Sequence, residues 1–134
     1  MASNKIARYY HERQVHFLTK SVTYSDADIA GGSTVAFAFG LPANAFVMNT
    51  VVRIKTAFNA ATTNVLTVGT NNPTSDNLVA AADVTEGSVA TTTVNGPGIL
   101  STTTSLDVFV KYTQTGTAAT TGAADVVVTY VIWE

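Results

Sequence analysis

From Gln14 onward apolar and polar residues alternate with a period of two, as in strands with one covered face. In the first run Val15, Phe17 and Thr19 share one face, and His16, Leu18, Lys20 and Val22 the other. Tyr24 to Gly32 reads as a loop. Ser33 to Phe39 groups Val35, Phe37 and Phe39 against Ala36 and Ala38, which predicts three large side chains on a core. Phe46 to Phe58 is the longest extended run, with Phe46, Met48, Val52, Ile54 and Phe58 on one side and Asn49, Val51, Arg53 and Lys55 on the other. Val65 to Val68 is a short strand, and Leu78 to Val84 is irregular. Val89 to Val94 is strand-like, Asn95-Gly96-Pro97-Gly98 reads as a turn, and Ile99-Leu100 begins another short strand. Leu106 to Thr113 alternates cleanly. With the β-branched run Asp125 to Trp133 it predicts a hairpin across a wide loop of small residues, Trp133 being a core residue at the strand end.

Strands about every ten residues, separated by turn signals, predict an all-β fold: a single antiparallel β-sandwich, jelly-roll-like, with about eight strands. The abundant threonine suits both faces of such strands, since it is β-branched yet keeps a hydroxyl in water. The first thirteen residues do not share the period. Ser3 is placed to cap a short helix ending near Arg13. A helix of that length is marginal alone, so an arm that orders on its target is the other reading. The expected organisation is an N-terminal arm, residues 1–13, ahead of a β-sandwich domain, residues 14–134.

Charge sharpens this division. Residues 1–20 hold four bases against one acid, a net +3, and the rest hold three bases against eight acids, a net −5, giving −2 in total. Only 12% of the 134 residues are charged, about half the usual ~25%. A globule so poor in charge covers its outside with Thr, Ser, Asn and Ala, or buries part of that outside against neighbouring copies. The absence of cysteine excludes disulfides and thiolate metal sites. No stretch approaches the ~20 apolar residues of a membrane span. The first ten residues lack the apolar core of a secretory signal, so synthesis in a cytosol is expected, with no membrane partner. With basic charge confined to the arm, no nucleic-acid partner is expected.

Little in the sequence points to catalysis. His11 and His16 are five apart, about 140° around a helix, so they cannot share a metal as histidines four apart do. Asp26 and Asp28 have calcium-loop spacing but lack further local oxygen ligands, and they read instead as caps for a turn's amides. Neither histidine has a nucleophile motif beside it, and no phosphate-cradling glycine loop occurs. No catalytic residue, metal or cofactor is expected. The residues best suited to a partner are Lys5, Arg8, Tyr9, Tyr10 and Arg13 in the arm, followed by Arg53 and Lys55 in the body. Tyrosine and arginine are the side chains interfaces favour.

Leu66 to Pro73 followed by Leu78 to Val84, and the terminal stretches Leu106 to Thr113 and Gly122 to Val131, resemble auxiliary virion proteins of tailed bacteriophages, in style a head decoration or cement protein. The resemblance covers roughly residues 33–134 and lies in composition and texture. It implies a jelly-roll-like fold, trimers at capsid symmetry axes, and an arm reaching over major capsid protein. The resulting expectation is a non-catalytic structural protein of the virion that stabilises the assembled head. A carbohydrate- or receptor-binding module of a fibre or tail is the alternative, with Asn71, Asn72, Asp76 and Asn77 as its candidate loop.

Overall fold

The structure, a computed structural model, describes residues 14–133. The alternation becomes seven strands and one helical turn among the described residues: β1 (His16–Thr23), α1 (Ala27–Ala30), β2 (Thr34–Ala36), β3 (Ala45–Thr56), β4 (Thr63–Gly69), β5 (Ala90–Ile99), β6 (Phe109–Thr115) and β7 (Ala123–Ile132). They form two antiparallel sheets, one in the order β1-β7-β3-β5 and the other β2-β6-β4. Each successive strand enters the opposite sheet, so each connection between strands crosses the sandwich. An eight-stranded jelly roll would have one more strand beside β4. That place is held by the single bridge Val68–Val79. The segment around it, Leu78 to Ala82, is short and apolar, with Leu78 and Val79 buried, and Asp83 turns it by accepting a bond from the Ala80 N–H.

The core is the space between the sheets. Leu18 and Val22 of β1, Val52 and Ile54 of β3, and Ala124, Val126 and Val128 of β7 are buried with Leu66 and Val68 of β4 and Val108, Val110 and Tyr112 around β6. Burying each of the larger aliphatic side chains contributes roughly 1.5–3 kcal/mol. The ends are closed by Ile29 of α1 and by Phe58, whose ring packs on Tyr112 at a centroid distance of 4.6 Å. Gly122 is required there, because a Cβ would sit inside the Phe58 ring.

Several expectations are corrected by tertiary structure. The sequence alternation in β3 slips at a bulge between Val47 and Asn49, where β5 also departs from register. Because a one-residue slip exchanges the faces, Ala45 and Val47 are buried ahead of the bulge, and Thr50, Val52 and Ile54 beyond it. Phe46 and Met48, expected inside, lie toward the outside. Asn95-Gly96-Pro97-Gly98 does not reverse the chain. It lies within β5, where Gly96 and Gly98 take φ of +81° and +93°. Proline is tolerated because β5 is an edge strand. β6 and β7 are in different sheets and make no hairpin. β2 stops at Ala36. Phe37 remains buried, its N–H donating to Val108, but the chain then bends and Phe39 is 77% exposed. Trp133 is likewise over half exposed, its ring 5.4 Å from that of Phe46. The stretch expected as a loop before Gly31 contains α1, and Asp26 ahead of it accepts a 2.8 Å bond from the Thr23 N–H, which fixes the turn leaving β1.

Candidate functional site

Among the described residues the four-stranded sheet has one covered face and one uncovered face, and the uncovered face is the candidate site. Inter-strand register defines its rows. Val131 of β7 stands opposite Phe46 of β3, and Phe46 opposite Ile99 of β5. Continuing the β1–β7 register by one residue places Val15 beside Val131. The next row is Phe17, Thr129, Asn49 and Asn95, and the one after it Thr19, Val127, Val51 and Thr93. The face is therefore built of valine, threonine and amides, with an apolar row at one end.

Charge appears at the other end. Ser21, Asp125 and Arg53 form a row across β1, β7 and β3. The Ser21 hydroxyl donates to Asp125 Oδ1 at 2.6 Å, and Lys55 Nζ lies 2.8 Å from the same oxygen. These two partners, the lysine first, hold the Asp125 carboxyl below its ordinary range despite slight desolvation. Of the two body cations singled out from sequence, Lys55 is thus already paired, while Arg53 is exposed beside the pair. An exposed pair contributes only about 0.2–1 kcal/mol, so a partner's carboxylate can compete for Lys55. The five arm residues, Lys5, Arg8, Tyr9, Tyr10 and Arg13, lie outside the described residues.

An apolar groove of about 290 Å³ adjoins this face at the β1 edge, lined by Phe17, Leu18, Thr19, Phe37, Ala38 and Phe39. Phe17 is 62% exposed. The groove is at the small end of the roughly 300–1,000 Å³ typical of ligand pockets. Its lining offers Thr19 as the one polar side chain, which fits an apolar side chain better than a sugar.

The other chemistry-bearing groups have structural roles. Glu86 is 6% exposed, and its Oε1 accepts a 2.6 Å bond from the Leu66 N–H, clipping the loop before β5 onto β4. Burial pushes its carboxyl above the ordinary value of 4.5, against two backbone bonds that pull it down. The Tyr112 hydroxyl donates to Asn64 Oδ1 and is pushed up by burial and by the nearby Glu86 charge. His16 stacks on Tyr130 with centroids 5.3 Å apart. Among the described residues no group of three His, Cys, Asp or Glu is arranged to hold a metal ion, and no helix is long and apolar enough to cross a membrane. The loop considered for sugar binding satisfies itself. Asn71 Oδ1 accepts from the Asp76 N–H, Asn71 Nδ2 donates to Asp76, Asn77 bridges both the N–H and the hydroxyl of Thr70, and Asn72 accepts from Thr34.

Sequence reasoning singled out Arg53 and Lys55 but missed the apolar row and the groove. One signal was available. Val126-Val127-Val128 is continuous, whereas a strand with one wet face alternates. A continuous apolar run is what strands covered on both faces show.

No known protein-family profile matches the chain, and no curated protein matches it. Among solved structures it is similar to a chain of the cyanophage Pam1 capsid asymmetric unit, with a TM-score of 0.63 and 19% identity, covering 91% of this chain and 87% of that one. At that identity the likeness is one of fold, and it extends over nearly all of the sandwich.

Proposed function

We propose that this chain is a structural protein of a phage virion that seats on the assembled head as a decoration or cement protein, without catalysis. The observation that carries the reading is the uncovered sheet face: an array of valine, threonine and amides, apolar at one end and ionic only at the other. The fold shared with a capsid chain supports it. So does the low charge of the whole sequence, which leaves few ions to be stripped of water when copies pack.

Area bounds the mechanism. Four strands about 4.8 Å apart and about eight residues long at 3.3 Å each cover roughly 500 Å². A stable interface needs about 800 Å² from each partner. The face alone falls short, so each copy grips weakly, and linkage through an oligomer, here a homotrimer, multiplies the hold. The arm residues Lys5, Arg8, Tyr9, Tyr10 and Arg13, with Arg53 and Lys55, add contacts to major capsid protein. Binding only the assembled shell stabilises it by mass action.

The test is co-sedimentation with heads lacking this protein. A chain starting at Gln14 retains every core residue described above and is expected to fold yet lose binding. A double substitution Arg53→Glu and Lys55→Glu is expected to weaken binding. Undiminished binding by both variants would refute the reading. The glycan-binding alternative finds its loop amides already engaged, and it predicts retention on an oligosaccharide matrix that the head-binding reading does not.

A further inference from the structure

We propose that the groove at the β1 edge receives the leading segment, residues 1–13, of a second copy of this chain, laid along β1 as an added strand. One tyrosine of the Tyr9-Tyr10 pair then fills the groove. The proposal deepens the functional reading by naming the partner of this one site, and it rests on that reading only in treating the protein as an assembling one.

The two edges of the four-stranded sheet are built differently. β5 carries Gly96, Pro97 and Gly98 along its length, and these spoil it as a template for another strand. β1 runs eight residues, His16–Thr23, without proline or glycine and among the described residues pairs only with β7, so its other edge is open to strand addition. The groove opens at that edge, between Phe17 and Phe39. Adjacent residues of an extended segment point to opposite faces. A tyrosine doublet lying there puts one ring into the groove and the other over Phe17 on the sheet's outer face.

Length and position select the occupant. At least thirteen residues precede Gln14, and the chain enters β1 beside the groove. Returning to its own groove requires the chain to reverse between Tyr10 and Phe17, a stretch with no Gly, Pro, Asn or Asp, the residues that tight turns favour. Two-residue hairpin turns depend on those residues for their positive φ. Thirteen extended residues span about 40 Å. A folded body of this size has a radius of gyration of about 14 Å, so the groove of a touching neighbour is within reach. An arm passed head to tail is a heterologous contact, which closes into a ring when the rotation permits.

Because the chain has no cysteine, engineered thiols report proximity without background. Full-length chains carrying Tyr9→Cys or Tyr10→Cys are mixed with full-length chains carrying Ala38→Cys and oxidised with diamide, with Thr117→Cys as a distant control. The expected result is a disulfide-linked band at twice the 14.0 kDa chain mass from at least one tyrosine position and not from the control. Phe39→Asp, at an exposed position, is expected to abolish the link and to move the light-scattering mass from oligomer toward 14.0 kDa. A link formed only within one chain bearing both Tyr10→Cys and Ala38→Cys would overturn the proposal, as would no link from either tyrosine or an unchanged mass for Phe39→Asp. None of these measurements uses heads, so loss of head binding with the cross-link intact would count against the functional reading alone.

Discussion

Val126 and Val127 are neighbours in the same strand and chemically identical, yet they belong to different environments. Val126 is fully buried against the second sheet, while Val127 stands half-buried in the uncovered face between Thr19 and Val51. The comparison teaches that apolar content alone does not define a core. The inner face is apolar because the second sheet covers it, and the outer face mixes valine with threonine, amides and a few ions, with no cover supplied by the described residues. The apolar row at one end of that face costs solubility unless something else covers it, which is the physical ground for proposing a role in assembly.

The contrast is most sharply broken by paired truncations. Val126→Ala is expected to cost about 2 kcal/mol in urea unfolding, through lost transfer energy and a residual cavity. Val127→Ala is expected to change stability by less than about 0.5 kcal/mol and to lower head binding. Equal stability losses would show that the outer face belongs to the monomer's own core.

Polar groups test the inner face next. The Thr50 hydroxyl is buried without a hydrogen-bond partner. Thr50→Val is expected to stabilise by about 1 kcal/mol, since it removes an unsatisfied group and keeps the shape. A loss of stability would mean that the hydroxyl is satisfied in solution.

Two carboxylates extend the comparison to pH. Burial raises Glu86, so its contribution is full below its unfolded value, near 4.5, and is lost as pH rises through the raised folded value. Its partners lower Asp125, so its contribution is present above its unfolded value and is lost as pH falls through the lowered one. Glu86→Gln keeps an acceptor for the Leu66 N–H and removes the first effect. Its stability relative to the parent is expected to be greater at pH 7 than at pH 4, and a difference independent of pH would refute the assignment. The smallest effect is on the outer face: Lys55→Ala is expected to cost a few tenths of a kcal/mol, fading in high salt.

Much of the fold was legible in the sequence. The period of two from Gln14, the threonine-rich strands and the turn spacing gave the β class and the sandwich, and Val108, Val110 and Tyr112 are buried as their alternation requires. Half of the candidate site was legible as well. Arg53 and Lys55 lie on the outer face as the pattern indicated, and Val126-Val127-Val128 departs from the alternation of a strand with one wet face.

The remainder depended on contacts between distant segments. A bulge at Met48 exchanges the faces of β3 against both of its neighbours, β5 and β7, and no local residue announces it. Gly96-Pro97-Gly98 has the chemistry of a turn, but pairing with β3 carries the strand through it. Phe39 was assigned inward by alternation and is turned outward because β2 ends early, which creates the groove with Phe17 from the other sheet. The sequence by itself determined which segments are strands, since side-chain period and β-branching act locally. Only the tertiary structure decided which faces are covered and which edge stays open, because burial and pairing depend on what the rest of the chain brings alongside.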